Sequence, residues 1–223
     1  MRARAKKETL AAKRARAARI VAGLRKLYPD ARCELDHASA LDLLVATILS
    51  AQCTDRRVNQ VTPELFARYK TAADYAKADP ADLEEVVRST GFFRNKTKSI
   101  RGLGKALVER HGGKVPDGME DLVELPGIGR KTANVLLGTW FDRPAIPVDT
   151  HVQRLAGRLG LSDQTDPVKI EFDLQEVLEE RDWSFASTAL IWHGRRVCHA
   201  RKPACESCSL RPECPYPERA GIP

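Results

Sequence analysis

Apolar residues recur along most of this chain at intervals of three and four positions, the spacing that places them on one face of an α-helix. In residues 39–52, Leu41, Leu44 and Ile48 follow this spacing, and Ser39 is suited to cap the helix N-terminus. The same pattern predicts further helices at residues 4–28, 55–69, 80–89, 95–110, 118–124, about 130–141, 150–159, 167–181 and 184–198. No stretch shows the sustained two-residue alternation of a strand, so the predicted fold class is all-α.

Composition narrows the class of protein. Of the 223 residues, 43% are hydrophobic and 30% are charged, which is typical of a globular protein that can bury a core. The longest apolar run, residues 43–49, is far too short to cross a bilayer. The basic N-terminus is not followed by the apolar segment of a secretory signal. We therefore expect no membrane association.

The net charge of +7 is concentrated at one end of the chain. Residues 1–19 carry eight basic side chains and one acidic side chain, which leaves 29 of each in the other 204 residues. This basic segment could add non-specific affinity for a polyanion, or it could be a solvated, partly helical extension. The folded body itself is predicted to be electrically balanced.

The segment Leu125-Pro126-Gly127-Ile128-Gly129-Arg130-Lys131 is predicted to form a tight hairpin that leads directly into a helix. Backbone N–H groups beside a helix N-terminus form a ready site for an anion such as phosphate. Lys131 lies in the first turn of that helix, where the positive end of the helix dipole disfavours a charged ammonium. A lysine that deprotonates more easily is a candidate nucleophile, although a surface hairpin with a solvated lysine would have the same local sequence.

Three other positions have both a plain and a functional interpretation. Asp149 follows an extended segment, residues 145–148, and precedes a helix, so it is a helix N-cap that could also be a functional carboxylate. The loop around Phe92 and Phe93 places two aromatic rings beside Arg94, Asn95 and Lys96. Aromatic side chains beside basic ones can insert between nucleic-acid bases, although a loop aromatic is more often tucked into the core.

Four of the six cysteines lie within seventeen residues near the C-terminal end of the sequence: Cys198, Cys205, Cys208 and Cys214. Four thiolates can hold zinc or an iron–sulfur cubane. Zinc ribbons usually have two close Cys-x-x-Cys pairs, whereas here only the central pair is close, which favours a single compact loop around a cluster. Cys33 and Cys53 are predicted to be ordinary buried or half-buried thiols.

Taken together, these motifs resemble the endonuclease III family of DNA glycosylases, within the helix-hairpin-helix glycosylase superfamily. The resemblance extends from about residue 20 to residue 216. The matching stretches are residues 50–55, residues 125–134, Val148-Asp149-Thr150-His151, His193-Gly194-Arg195 and the cysteine loop with its spacers of six, two and five residues.

The resemblance implies two helical domains on either side of a cleft. One is a six-helix domain at residues 33–143 that contains the helix-hairpin-helix motif. The other combines residues 20–32 with residues 144–223 and carries a [4Fe-4S] cluster on Cys198, Cys205, Cys208 and Cys214. Residues 1–19 form a basic extension outside the resemblance. Lys131 and Asp149 are then expected on opposite walls of the cleft.

The resemblance also implies roles for individual residues. Lys131 is the nucleophile and Asp149 assists it. Gln52 fills the space that the damaged base vacates, while Phe92, or Phe93 in its place, is a wedge on the opposite strand; leucine or another aliphatic residue is commoner there. The further DNA-binding residues implied are Gly127, Ile128 and Gly129 through their amides, together with Asn95, Arg130, His151 and Arg195.

The implied activity is that of a bifunctional DNA glycosylase and AP lyase, which removes oxidised pyrimidines such as thymine glycol in base excision repair. Its partner is duplex DNA that contains a damaged pyrimidine or an abasic site, and we expect a monomer in the cytoplasm of a bacterium or archaeon. Two alternatives are a catalytically silent iron–sulfur DNA-binding paralogue and an adenine glycosylase. Adenine glycosylases lack a lysine at the position of Lys131, and a silent paralogue is expected to lack Lys131 or Asp149.

Overall fold

A computed structural model describes residues 8–222, and these residues form helices and connecting loops without a β-strand. The predicted all-α class is therefore confirmed. The twelve α-helices are α1 (Leu10–Leu27), α2 (Ala40–Leu49), α3 (Asp55–Arg68), α4 (Ala72–Lys77), α5 (Pro80–Val87), α6 (Phe93–His111), α7 (Met119–Val123), α8 (Arg130–Thr139), α9 (Thr150–Arg158), α10 (Pro167–Val177), α11 (Trp183–Arg196) and α12 (Tyr216–Arg219).

Two short helices were missing from the sequence prediction, because neither is long enough to show a helical period. Helix α4 begins at a capping box, in which the Thr71 side chain accepts from the Asp74 amide and the Asp74 carboxylate accepts from the Thr71 amide. Helix α12 lies beyond the last cysteine. The prediction for α10 was four residues too long, since Leu178 is extended and a separate 3-10 turn follows at Glu180–Asp182.

The backbone divides into two compact units. One unit is formed by Cys33–Arg143, and the other combines the described residues up to Arg32 with those from Pro144 onwards. The first contains α2 to α8, seven helices rather than the six expected. Among the described residues, no helix is both long enough and apolar enough to cross a membrane.

The unit of residues 33–143 is built around α2. Eight of the ten residues of this helix are buried, so it is apolar on every side and other helices pack around it. Ser39 caps it as predicted, by accepting from the amide of Asp42 at 3.0 Å. The core also contains the fully buried side chains of Leu65, Leu103 and Leu107.

The second unit packs α1 with α9, α10 and α11 around a core that includes Leu24, Ile146, Leu155 and Leu190. The extended stretch at residues 145–148 is buried in this core and leads directly into α9. Its burial explains why this segment is apolar although it is not helical.

The basic N-terminal segment is not a separate extension over its whole length. Residues 10–19 belong to α1, and three of their cations hold this helix against its own unit. Arg16 donates to the carbonyl oxygens of Leu159, Gly160 and Glu213, and Arg14 donates to the carbonyl of Glu176. Arg19 pairs with the carboxylate of Glu213 at 2.8 Å. Arg2, Arg4, Lys6 and Lys7 lie outside the described residues.

Candidate functional site

The predicted hairpin at residues 125–129 is a turn anchored by two buried side chains. Leu125 and Ile128 are 2% and 5% exposed, and the Ile128 amide donates to the Leu125 carbonyl at 3.1 Å. Gly127 has a φ of +81°, and a Cβ there would lie 2.8 Å from the Cβ of Ser99. Backbone conformation and lack of space therefore both require glycine at position 127.

Gly129 is different, because no contact within the protein requires it to be glycine. Its φ is −96°, and a Cβ there would meet nothing within 4 Å. It is the residue before α8, and the first turn of that helix has no side-chain cap. Among the described residues, the amides of Gly127 and Gly129 have no hydrogen-bond acceptor, whereas the amide of Ile128 is already used within the hairpin. The hairpin thus offers an open backbone surface beside a helix N-terminus.

Lys131 is the second residue of α8, and its side chain is exposed, as the hairpin prediction requires. The opposite face of the helix is fixed in the core by Ala133, Leu136 and Leu137. Burial raises the pKa of the nearby Cys33 thiol, and the Lys131 charge acts in the opposite direction. Lys131 is therefore an exposed amine on a firmly anchored helix, within electrostatic range of Cys33.

Gln52 and Phe92 share a backbone feature that the sequence did not indicate. Both are exposed, and both adopt the left-handed conformation, with φ values of +52° and +49°. This conformation is unfavourable for residues other than glycine, asparagine and aspartate, and such strain is concentrated at functional positions. Phe92 is 62% exposed and directly precedes α6.

Phe93 has a different environment from Phe92. Its ring is half-buried, and the guanidinium groups of Arg88 and Arg94 lie 5.5 and 5.7 Å from its centre. Asn95, two residues further along, is exposed. Of the two aromatic candidates, Phe92 is therefore the one whose ring projects from the protein surface.

Asp149 is the N-cap of α9, as its plain interpretation predicted. Its Oδ1 accepts from the amides of His151 and Val152, both at 2.8 Å. These two bonds fix the carboxylate, and no described donor is bonded to Oδ2. Nδ1 of His151 accepts from the guanidinium of Arg154, and burial lowers the pKa of this imidazole while Asp149 opposes the shift. Asp149 is thus a partly buried carboxylate held in one orientation.

All four C-terminal cysteines line one cavity of the second unit, together with apolar side chains such as Leu155, Leu159 and Leu210. None of the four is in a disulfide. No group of three or more His, Cys, Asp or Glu side chains in residues 8–222 is arranged to hold a single metal ion.

Side chains from α9 and α11 contact the thiols. Arg158 of α9 donates to Sγ of Cys198 at 3.2 Å and to the carbonyls of the next two residues. Nε2 of His193 lies 3.4 Å from Sγ of Cys208, and the hydroxyl of Tyr28 lies 3.0 Å from Nδ1 of the same ring. Burial raises the pKa of the thiols of Cys208 and Cys214.

The structure brings some predicted residues together and leaves others in different units. Lys131, the hairpin, Gln52 and Phe92 belong to residues 33–143, whereas Asp149, His151, Arg195 and the cysteines belong to the other unit. Arg130 and Arg195 each have an interaction partner, and Arg195 is exposed.

The sequence analysis missed four residues that shape these sites: Tyr28, Arg154, Arg158 and His193 as a contact of Cys208. It named Lys96 only as a basic residue beside the loop aromatics, whereas Lys96 is buried. Lys96 alone had a local signal, because it lies four residues before Ile100 and seven before Leu103 and so falls on the buried face of α6. The others are bonded to residues far away in the sequence, which no local pattern indicates.

Comparison with known proteins gives consistent results. Residues 45–180 match the family described as HhH-GPD superfamily base excision DNA repair protein. The endonuclease III of Synechocystis sp. is 53% identical over 207 residues, which cover 92% of this chain and 94% of that protein. A solved non-covalent endonuclease III–DNA complex has a TM-score of 0.89 at 39% identity and covers 94% of this chain and 99% of its own.

A second solved structure is a trapped endonuclease III–DNA covalent intermediate, with a TM-score of 0.88 and 39% identity. It covers 93% of this chain and 98% of its own. The identities and the coverage leave one conclusion: this chain belongs to the endonuclease III family, within the HhH-GPD superfamily of base excision DNA repair proteins.

Proposed function

We propose that this protein removes oxidised or ring-saturated pyrimidines, such as thymine glycol, from duplex DNA and then cleaves the strand at the resulting abasic site. The observation that carries the proposal is the exposed amine of Lys131 at the N-terminus of α8 in a chain of this family. The similar structure of a trapped covalent DNA intermediate supports a covalent rather than a purely hydrolytic reaction. An amine nucleophile is what such an intermediate with a sugar carbon requires.

The hairpin is proposed to hold a DNA phosphate. The amides of Gly127 and Gly129 are available, the N-terminus of α8 favours an anion, and the open space at Gly129 allows close approach of a ligand. Ile128 then contributes by anchoring the turn in the core rather than by its own amide. Such a contact positions DNA without reading its sequence, as a repair enzyme that scans for damage requires.

The damaged nucleotide must leave the base stack before Lys131 can reach its sugar. We propose that Gln52 fills the space that the extruded base leaves and that Phe92 inserts from the opposite strand. Their exposure and their strained left-handed backbones support these roles. Phe93 is held by two arginines and supports the loop instead.

Four more side chains are proposed to contact the DNA backbone: Asn95, Arg130, His151 and Arg195. Asn95 and Arg195 are exposed, and Arg130 follows the hairpin directly. His151 adjoins the capping contact of Asp149. Contacts of this kind orient the duplex and add to affinity rather than to sequence preference.

In the chemical step, neutral Nζ of Lys131 forms a bond to C1′ of the deoxyribose. The glycosidic C–N bond breaks, and the base leaves with the electron pair and takes up a proton. Loss of a proton from the amine and opening of the sugar ring give a Schiff base. Asp149 acts on the same sugar: its Oδ1 is held by the α9 cap, and the negative charge favours the positive charge that develops on the sugar.

The Schiff base acidifies the C2′ proton, and its removal expels the 3′ phosphate oxygen by β-elimination. The strand is thereby cut 3′ to the lesion. Hydrolysis of the Schiff base then releases Lys131. The two activities, base excision and strand cleavage, thus depend on one amine.

We further propose that Cys198, Cys205, Cys208 and Cys214 hold a [4Fe-4S] cluster. The residues fit such a group, because all four unpaired thiols line a single, largely apolar cavity, and Arg158 donates to one of them. The bound cluster supplies thiolate–iron bonds that tie the loop at residues 198–214 together. Arg154 and Arg158 fix the start of this loop to α9, the helix that Asp149 caps.

Borohydride trapping tests the activity. Wild-type protein is expected to form a covalent adduct with duplex DNA that contains thymine glycol, because the Schiff base is reduced to a stable amine. Lys131→Gln is expected to form none while it still binds the DNA. Lys98→Gln is a matched control, since Lys98 is an exposed lysine on α6, and it should trap like the wild type. Absence of a wild-type adduct would instead favour a DNA-binding protein without catalysis.

Metal analysis tests the cluster. The purified protein is expected to be brown and to contain about four iron and four sulfide per chain. Stoichiometric zinc in a colourless protein would refute the cluster and leave the proposed glycosylase activity to be judged by trapping alone.

A further inference from the structure

Lys96 is a lysine inside the protein. It is 4% exposed and lies on the buried face of α6, beside Thr97 and Ile100. Lysine is almost never fully buried unless its ammonium has partners. Burial lowers the pKa of this group. A buried lysine that the proposed reaction does not use therefore calls for a structural reason.

The ammonium of Lys96 joins two separate stretches of backbone. It donates to the carbonyl oxygen of Leu49 at 2.8 Å and to that of Thr90 at 2.8 Å. Because one nitrogen bonds both, the two oxygens lie no more than 5.6 Å apart, twice the hydrogen-bond length. Leu49 is the last residue of α2, and Thr90 ends the 3-10 turn that follows α5.

Each of these carbonyls lies two or three residues before one of the strained, exposed residues. Leu49 is three residues before Gln52, and Thr90 is two residues before Phe92. The backbone amide of Lys96 also donates to the carbonyl of Phe92 at 3.1 Å. A single residue thus bonds the backbone shortly before Phe92, at Phe92 itself and at the start of the Gln52 turn.

We infer that Lys96 is a positioning residue that holds the Gln52 and Phe92 turns in a fixed mutual arrangement, so that both insert into DNA together as a base is extruded. This inference rests on the proposed function. The bond to two carbonyls supports it, because a hydrophobic residue at this position would fill the same volume without joining the turns. The charged donor makes each bond stronger than one between neutral groups.

The inference distinguishes two substrates. A base lesion must be extruded and its space filled, whereas an abasic site has no base to extrude and depends less on the two turns. Misplacement of a positioning group by about 1 Å can cost on the order of a hundredfold in rate. Loss of the Lys96 bonds is therefore expected to reduce excision of thymine glycol much more than cleavage at a preformed abasic site.

The test compares Lys96→Met, which has a similar length but no donor, with Lys98→Met, which removes an exposed charge from the same helix. For Lys96→Met, we expect single-turnover excision of thymine glycol to fall at least about tenfold and abasic cleavage to stay within about threefold. The fluorescence of 2-aminopurine placed opposite the lesion should rise less on binding. Lys98→Met should leave the ratio of the two rates unchanged. Lys96→Arg keeps the charge and the donors, so it should recover part of the excision rate that Lys96→Met loses.

If Lys96→Met does not fold, Lys96→Gln replaces it, since its shorter uncharged side chain cannot reach both carbonyls, and the same ratio is measured. Equal loss of both rates, or no loss of either, in a folded variant would overturn the inference. If the wild type is active, such a result contradicts only the inference about Lys96 and leaves the proposed function standing. A wild type that neither excises nor traps would count against the proposed function instead.

Discussion

The hydroxyl of Tyr28 lies 3.0 Å from Nδ1 of His193, two residues 165 positions apart in the sequence. Burial lowers the pKa of His193 to about 4, so its imidazole is neutral near pH 7 and has a single N–H. If Cys208 is a thiolate, it can only accept, so Nε2 carries the hydrogen and Nδ1 accepts from Tyr28. With Cys208 as a thiolate, as in the proposed cluster, Tyr28 therefore selects the tautomer that donates to Cys208.

This relationship predicts the effect of Tyr28→Phe. Loss of the hydroxyl leaves buried Nδ1 without a donor and is expected to lower the free energy of unfolding by about 1 kcal/mol. Loss of iron to a chelator should become faster, because residues that orient the contacts of metal ligands commonly tune metal retention. Chelator-induced bleaching measures the rate. Tyr69→Phe, which removes a hydroxyl in the other unit, is the control and should bleach like the wild type. Equal bleaching of all three proteins would contradict this role of Tyr28.

Asp149 is predicted to have two separable roles. Asp149→Asn keeps an oxygen that can accept from the amides of His151 and Val152, so the melting temperature should change little while base excision falls by at least about a hundredfold. Asp149→Ala loses the cap as well and should cost about 1 kcal/mol of stability. Thermal melts and single-turnover excision measure the two effects. Near-normal excision by the Asn variant would leave Asp149 with only its capping role.

The two glycines of the hairpin should respond oppositely to alanine. Gly127→Ala places a Cβ 2.8 Å from Ser99 at a φ of +81°, so we expect a loss of stability of about 1–3 kcal/mol. Gly129→Ala meets nothing within 4 Å at an ordinary φ, so stability should be kept. The added methyl group lies beside the open amides, and DNA affinity should fall about tenfold. Melting curves and DNA titrations provide the comparison, and unchanged affinity of the Gly129 variant would exclude a phosphate contact there.

Changes at residues 2–7 and at Arg16, two parts of the basic N-terminal segment, should have different effects on DNA binding and stability. Deletion of residues 2–7 removes four cations and is expected to flatten the salt dependence of DNA binding if this stretch contacts DNA. An unchanged slope would show that it does not.

Arg16→Ala should instead lower stability by about 2 kcal/mol, because Arg16 donates to three carbonyls and pairs with Glu8. The Arg16→Ala variant should change the salt dependence of DNA affinity only slightly. Deletion of residues 1–19 as a whole would confuse the two effects, since it also removes the first half of α1.

Much of this molecule could be read from local sequence. The caps at Ser39 and Asp149 and the turn at Gly127 depend on residues within a few positions, and the sequence located each of them. The sequence prediction missed a helix where the segment was short, as in α4. It placed the end of a helix wrongly where one pattern covered two elements, as in α10 and the 3-10 turn after it.

The hairpin interpretation was right about the turn but incomplete about its chemistry. The sequence treated three consecutive amides as equivalent, whereas the fold uses that of Ile128 internally and leaves those of the two glycines. Likewise, Phe92 and Phe93 are adjacent and chemically identical, and the fold distinguishes them by the exposure and left-handed backbone of Phe92 and by the two arginines around the Phe93 ring.

The sequence by itself determined the helical class, the family, the lysine and aspartate expected to act on DNA, and the four cysteines. These are local patterns, set by neighbours along the chain. Only the tertiary structure decided that Lys96 joins two turns, that Tyr28 orients His193 and that Arg16 holds α1 in place. The partners of these residues are 47, 165 and 143 positions away, and such distant groups become neighbours only when the apolar faces of the helices are buried together.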